Sequence, residues 1–299
     1  MRLIRTVSEL RAALSEPRRA GEAIGLVPTM GALHDGHLSL IRRARGECDV
    51  VVVSLFVNPA QFNQPGDLHS YPRDEQRDAT LAAGAGADIL FAPAMDEVYP
   101  PGFSTTVAVA GMTEVLEGEH RGRGHFDGVT TVVAKLFNMA SPQVAYFGQK
   151  DAQQALVIQR MVRDLDIPVR IEVCRTVRDP DGLALSSRNA RLSDADRERA
   201  TALHRALEAL RTAVAGGERN AGAARALALA ELDAAGLEPE YLELVAADDL
   251  APVDRIDGDV LAVVAARIGD TRLIDNELIQ PLSTGRHPAA AGTTDNGRR

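Results

Sequence analysis

Cysteine is nearly absent from this chain: Cys48 and Cys174 are its only two. Two thiols cannot build a disulfide framework and are typical of a reducing compartment. With no cysteine beside them, the histidines also lack the ligand spacing of a zinc site. Long apolar runs are missing as well. No segment approaches the roughly 18 apolar residues of a membrane span, and Met1-Arg2-Leu3 leads into mixed sequence with no signal-peptide core. A cytoplasmic protein with no membrane association is expected. Positive charge is in deficit too. The 33 Lys and Arg against 42 Asp and Glu give a net charge of −9, the opposite of the basic face that a nucleic-acid partner requires. What remains is an ordinary globular composition, 45% hydrophobic and 25% charged over 299 residues. That is long enough for two domains of roughly 100–200 residues each.

Apolar runs and helical patterns alternate along the first part of the chain. Ile24 to Val27 is a short buried-strand pattern ended by Pro28, and Asp49 to Val57 is an almost continuous β-branched run. Helical spacing covers residues 74–84, 129–139 and 151–165, with strands at 87–92, 144–147 and 171–174 between them. This alternation predicts an α/β fold with a doubly wound parallel sheet and ligands at the carboxyl ends of its strands. The composition shifts near residue 190. Ser193 reads as the N-cap of an Ala/Leu/Arg-rich helix that runs to Ala215, where Gly216-Gly217 stops it. A second helix from Asn220 or Ala221 to Ala235 precedes strands at 241–246, 260–268 and 271–276. The expected organisation is an α/β domain over 1–178, a smaller α+β domain over 179–283, and a disordered tail over 284–299. The last stretch is rich in Gly, Ala, Thr and Pro and lacks periodicity. A hinge is expected between residues 175 and 190.

The most informative stretch is Val27-Pro28-Thr29-Met30-Gly31-Ala32-Leu33-His34-Asp35-Gly36-His37. From Leu38 onward, Leu38, Ile41 and Ala44 form an apolar stripe at helical spacing, so both histidines fall at a helix N-terminus. Free backbone N–H groups and the positive end of the helix dipole attract phosphate there. His34 and His37, three residues apart, project from the same side of that turn. Gly31 and Gly36 remove side chains where a ligand must come close.

Three further segments carry polar groups suited to ligand chemistry. Asn58 and Gln61 stand at the carboxyl end of the β-branched run, neutral amides able to bond hydroxyls and carboxylates. In Gly148-Gln149-Lys150-Asp151-Ala152-Gln153-Gln154, Gly148 permits a tight turn and Lys150 can sit on phosphate. Asp151 could cap the helix or contact a ribose, and Gln154 lies one helical turn beyond Lys150. In Asp179-Pro180-Asp181-Gly182-Leu183-Ala184-Leu185-Ser186-Ser187-Arg188-Asn189, a Pro-Asp-Gly turn feeds two hydroxyls and a guanidinium, all phosphate donors. Taken one at a time, each also has an ordinary reading: polar turn residues, a surface Lys-Asp pair, a solvated loop.

Together the segments resemble the pantoate–β-alanine ligases over roughly residues 1–283. PTMGALHDGH, SLFVNPAQF, Tyr71-Pro72-Arg73, GHFDGVTTVVAKLFN, YFGQKDAQQ and DGLALSSRN stand in that family's order. Gly124 departs from the family's frequent Pro, and the segment after Tyr71 carries fewer acids near Asp78 than some relatives have. The resemblance implies a Rossmann-like nucleotide-binding domain of the His-x-Gly-His nucleotidyltransferase superfamily, a smaller C-terminal domain and a homodimer. Because the expected hinge lies just before Ser186, Ser187 and Arg188, the C-terminal domain is expected to act as a lid. It also implies a reaction: ATP, with magnesium, and pantoate form a pantoyl adenylate, which β-alanine attacks to give pantothenate and AMP. By the same resemblance ATP is bound by Met30, Gly31, His34, Gly36, His37, Gly148, Gln149, Lys150, Asp151, Val177, Leu185, Ser186, Ser187 and Arg188. Gln61 and Gln154 bind pantoate, Gln61 also β-alanine, and Asp78 is the metal position. His34, His37, Lys150 and Arg188 form the catalytic set. His37 corresponds to the family's proton donor, although its setting suits a hydrogen-bond donor to the transferring phosphate. The alternative is a nucleotidylyltransferase of the same superfamily, passing AMP to a phosphorylated acceptor. It would lack the paired Gln positions and usually this C-terminal domain.

Overall fold

A computed structural model describes residues 1–62 and 65–281; the expected tail at 284–299 lies outside the described residues. The first half opens with a short strand, β1 (Arg2–Ile4), and two helices, α1 (Val7–Ala13) and α2 (Ser15–Ala20). Next come β2 (Ile24–Thr29), α3 (Asp35–Glu47) and β3 (Val50–Leu55), then a 3-10 turn over Pro59–Gln61. They are followed by α4 (Pro65–Ser70), α5 (Glu75–Ala85), β4 (Ile89–Phe91) and α6 (Met95–Val98). The half closes with α7 (Glu117–Arg121), α8 (Arg123–Ala140), β5 (Val144–Gly148), α9 (Ala152–Asp164) and β6 (Arg170–Cys174). The second half holds α10 (Asp194–Ala215), α11 (Ala221–Ala234), β7 (Pro239–Ala246), β8 (Val260–Ile268) and β9 (Thr271–Ile279). Among the described residues no helix is long and apolar enough to cross a membrane.

The first six strands form one sheet in the order β1-β4-β3-β2-β5-β6, parallel throughout. Burial on both faces explains the near-continuous apolar strands. In β3, Val52 packs with α1, α8 and α9, whereas Val51 and Val53 pack with α3 and α5. The expected stripe Leu38, Ile41 and Ala44 is the buried face of α3. β7, β8 and β9 make a separate antiparallel sheet, one face of which is covered by α10 and α11. This is the α/β class with a second, smaller α+β unit.

Several elements depart from expectation. Pro28 does not end β2; it pairs with Ser54 inside the strand. Thr29 bonds toward β3, accepting from Phe56 N and donating to Ser54 Oγ. The nitrogen of Pro28 therefore faces the other side, beyond Gly25 and Leu26, the residues of β2 that pair with β5. A missing N–H there breaks no ladder bond. β1, α1, α2, α4, α6 and α7 are each too short to show a period. α8 starts at Arg123, earlier than the apolar run at Val129 indicates. The segment expected to be a hinge is folded back on itself. Leu185 N donates to Val177 O at 2.9 Å and Gly182 N to Asp179 O at 2.9 Å. Gly182 adopts φ +91, and an added Cβ would lie 2.4 Å from the His204 ring. Only glycine lets this turn sit on α10, where Arg197 clamps Asp179 at 2.7 Å and Asp181 at 2.9 Å.

Candidate active site

The order of the parallel sheet reverses beside β2: the chain steps from β2 to β3 on one side and later to β5 on the other. The crevice above the carboxyl ends of β2 and β5 is where such folds place ligands. A cleft of about 990 Å³ opens there, bounded on its far side by β9 and by the loop before α10.

His34 is the N-cap of α3 and His37 its third residue. Their rings lie 4.2 Å apart between centroids, tilted by 46°. His34 Nδ1 accepts from Gly36 N at 3.2 Å, and His37 Nδ1 accepts from His34 N at 3.4 Å. A Cβ on Gly36 would come within 2.9 Å of the His34 ring, so glycine keeps this arrangement open. Burial, and then Lys150, lower the His34 imidazolium; burial and His34 push His37 down to about 3. Both rings are therefore neutral near pH 7. A neutral ring whose Nδ1 accepts must carry its proton on Nε2, so this network assigns each Nε2–H as the available donor.

The preceding loop is held from behind. Gly31 and Ala32 both have positive φ, +90 and +52. The backbone N–H groups of Ala32 and Leu33 both donate to the Asp78 carboxylate at 2.8 Å. Asp78 is 1% exposed. The metal assignment made for it does not fit: both oxygens are spent on backbone N–H groups, and the side chain is sealed off from the cleft. Among the described residues no cluster of three His, Cys, Asp or Glu is arranged for a metal. Gly31, expected at the nucleotide, instead allows a close approach behind the wall, where a Cβ would meet Leu55 at 2.7 Å.

The Pro59–Gln61 turn is positioned by a relay. Tyr99 Oη donates to Asn58 Oδ1 at 2.9 Å. Asn58 Nδ2 donates to Gln61 Oε1 at 2.9 Å and to the Gly128 carbonyl at 3.0 Å. Asn58 is wholly buried and acts through Gln61, whose Nε2 is left as its free donor. His125 Nδ1 contacts the Gln61 carbonyl at 2.8 Å, and burial with Arg121 pushes its imidazolium down to about 4.

Across the cleft, Lys150 lies on a 3-10 turn over Gln149–Asp151, its Nζ 3.6 Å from Asp151 Oδ1. Ser186 caps the segment Ser187–Arg191 by accepting from Arg188 N at 3.2 Å. Desolvation in the cleft and the nearby Arg121 lower the Arg188 guanidinium. The surrounding protein would raise the Asp151 carboxyl, but Lys150, Arg121 and Arg188 outweigh it and hold it low. Crowded cations of this kind are relieved by an anion in the space between them.

The two halves meet along this wall. Glu117 accepts from Arg121 at 3.0 Å and Tyr241 at 2.8 Å, and forms an ion pair with Arg272 at 2.7 Å. Burial would raise its carboxyl, but these partners, Arg272 foremost, bring it down to about 2. Met112, Phe126 and Val157 from the first half pack beneath it against Val245, Leu261 and Val263 from the second.

The cleft thus brings together Met30, His34, Gly36, His37, Gln61, Gly148, Lys150, Asp151, Gln154, Val177, Leu185, Ser186, Ser187 and Arg188. Gly31, Asp78 and Gln149 are not on its walls. Gln149 turns toward Asn276, its Nε2 3.5 Å from Asn276 Oδ1. Sequence reasoning passed over His125, which lay inside a quoted motif. It also passed over Glu117, Tyr241, Arg272 and Asn276, which no local pattern marks.

A parallel α/β fold with a cleft lined by Lys150, Arg121 and Arg188 at its topological switch point is the architecture of a nucleotide-handling enzyme class. The family model for pantoate-beta-alanine ligase matches residues 2–278. A pantothenate synthetase from Cereibacter sphaeroides is 57% identical over 275 residues, covering 92% of this chain and 98% of that protein. Another, from Roseiflexus castenholzii, is 53% identical over 281 residues, covering 94% and 100%. The crystal structure of pantothenate synthetase from Thermus thermophilus superposes with a TM-score of 0.88 at 49% identity, covering 94% and 100%. That of the Francisella tularensis ligase, complexed with beta-gamma ATP and beta-alanine, gives 0.75 at 35% identity, covering 93% and 97%. The chain belongs to the pantoate–β-alanine ligase family.

Proposed function

We propose that this ligase condenses pantoate with β-alanine through an enzyme-bound pantoyl adenylate. The observation that carries the reading is the neutral histidine pair at the N-terminus of α3, each ring with Nδ1 tied to backbone and Nε2–H free. Such a pair supplies two uncharged donors at a helix end, facing Lys150 and Arg188 across a cleft. That suits a triphosphate whose α-phosphorus is to be attacked.

In the first step a pantoate carboxylate oxygen attacks the α-phosphorus, the bond to the β-phosphate bridging oxygen breaks, and pyrophosphate leaves with that oxygen. Alignment and charge neutralisation are the main demands. Gln61 Nε2 and Gln154 orient the pantoate carboxylate and hydroxyls. His34 and His37 donate to the α-phosphate oxygens as charge builds on them, and Lys150 and Arg188 neutralise the leaving pyrophosphate. With its pK near 3, His37 acts as a hydrogen-bond donor and keeps its proton. In the second step the free amine of β-alanine attacks the acyl carbon, AMP leaves through its phosphate oxygen, and the amine loses a proton. Magnesium belongs on this reading to the nucleotide substrate. The unit over 179–283 closes the cleft and keeps water from the adenylate.

The test is product analysis. AMP and pyrophosphate should form only with pantoate present, and pantothenate only after β-alanine is added. Heavy oxygen placed in the pantoate carboxylate should appear in AMP. Formation of ADP would mean an acyl phosphate and would overturn the proposal.

A further inference from the structure

Two adjacent residues of β9 grip the two cationic arms of the cleft. Asp275, 3% exposed at its side chain, takes a bidentate pair from Arg178, 2.6 Å from Nη1 and 3.0 Å from Nη2. Arg178 begins the folded-back segment that leads to Arg188, and its Nη1 also donates to Gly182 O at 3.2 Å. Asn276, 3% exposed, faces the other way. Its Nδ2 donates to the Gln149 carbonyl at 2.8 Å and to the Lys150 carbonyl at 2.9 Å. Its own backbone N–H donates to Asp275 Oδ1 at 2.8 Å, which ties the two grips together. The turn that carries Lys150 has no side-chain cap of its own, nor does α9 after it.

We infer that Asn276 is a positioning residue for Lys150, and that β9 thereby sets the spacing between Lys150 and the Arg188 segment. This rests on the reading of Lys150 as a triphosphate ligand. The second unit then does more than cover the cleft: one of its strands is the brace on which the nucleotide subsite is held. A one-turn 3-10 element has few hydrogen bonds of its own to resist rotation. Freed from the amide of Asn276, its two carbonyls would swing and carry the Lys150 ammonium with them. Displacements of about 1 Å at a reacting centre are costly in rate.

The test is a double-mutant cycle on the full chain. Asn276→Ala and Asn276→Asp are made alone and with Lys150→Ala. Saturation by ATP and by pantoate is followed through AMP release, below the unfolding midpoint of every variant. Asn276→Ala should lower kcat/KM for ATP about tenfold to thirtyfold, the value of two ordinary hydrogen bonds, and leave KM for pantoate unchanged. Asn276→Asp preserves the shape but turns a donor into an acceptor facing two carbonyls, so it should fall at least as far. In the Lys150→Ala background neither change should matter further. Equal losses in both backgrounds, or wild-type ATP use by Asn276→Asp, would overturn the inference while leaving the function proposed above intact. Normal ATP use by Lys150→Ala alone would overturn the triphosphate reading and this inference with it.

Discussion

Replacing Gly128 by Ala asks whether the Gln61 subsite owes its place to one missing methyl group. Two effects oppose each other. Inside a helix Ala is favoured over Gly by about 1 kcal/mol. The new Cβ, however, would lie 2.3 Å from the Ala60 carbonyl oxygen, 2.5 Å from its carbon and 3.0 Å from Gln61 N. Real Cβ atoms essentially never come within 3.0 Å of a neighbour. The turn and α8 must therefore part by at least the difference between the first distance and that limit. All three opposing atoms are backbone, so no rotamer change absorbs the clash. Overpacking of this kind costs about 1–3 kcal/mol, enough to cancel or exceed the propensity gain. α8 is buried along most of its length, so the short Pro59–Gln61 turn is the part that moves. Its movement stretches the Asn58–Gly128 and His125–Gln61 bonds and displaces the Gln61 amide. Steady-state assays should show KM for pantoate raised about tenfold to a hundredfold, with KM for ATP nearly unchanged. Unaltered pantoate saturation in a normally folded variant would refute the close-packing argument.

Three other outcomes are expected. His37→Ala should lower kcat by about 10²–10³, as loss of an oxyanion donor does, with a smaller change in KM for ATP; near-normal turnover would remove the ring from the chemistry. His37 and His125 are held neutral in the fold at about 3 and about 4 but take up protons near 6.5 once unfolded, so stability falls as pH drops through 6.5 toward 4. Denaturant titrations should lose on the order of 2–4 kcal/mol between pH 8 and pH 5, and less in His37→Gln. Glu117→Gln leaves Arg272 its second carboxylate, Glu240 at 2.5 Å, yet removes a buried charge partner. It should cost about 2–4 kcal/mol in thermal unfolding at neutral pH. Because the Glu117 carboxyl is depressed to about 2, that cost should shrink as pH falls from 4.5 toward 2.

What could be read from residues alone was what neighbours in sequence determine. β3 announces itself by four consecutive valines, and the histidine pair by its spacing ahead of the Leu38 stripe. α10 is marked by Ser193, whose side chain accepts from Asp196 N as a cap. Asp78 was misread because a carboxylate's task depends on what reaches it, and here Ala32 and Leu33 reach it from a loop far upstream. Pro28 was misread because a missing N–H matters only on a side that has a partner strand. Asn276 sits in a strand without any distinguishing pattern. Its importance comes from a turn more than a hundred residues earlier in the chain, brought alongside only by the docking of the two sheets.

The apolar seam between those sheets has a consequence for how the protein is made. Met112, Phe126 and Val157 are synthesised well before Val245, Leu261 and Val263, their partners across the seam. The parallel sheet can therefore assemble on a nascent chain while an oily face still waits for strands the ribosome has not delivered. Closing so long a loop is entropically slow, and an uncovered face is prone to aggregation in the interval. Synthesis halted before β8 would leave a sheet with its adhesive side bare and its Lys150 turn and Arg188 segment unbraced, a natural substrate for chaperones.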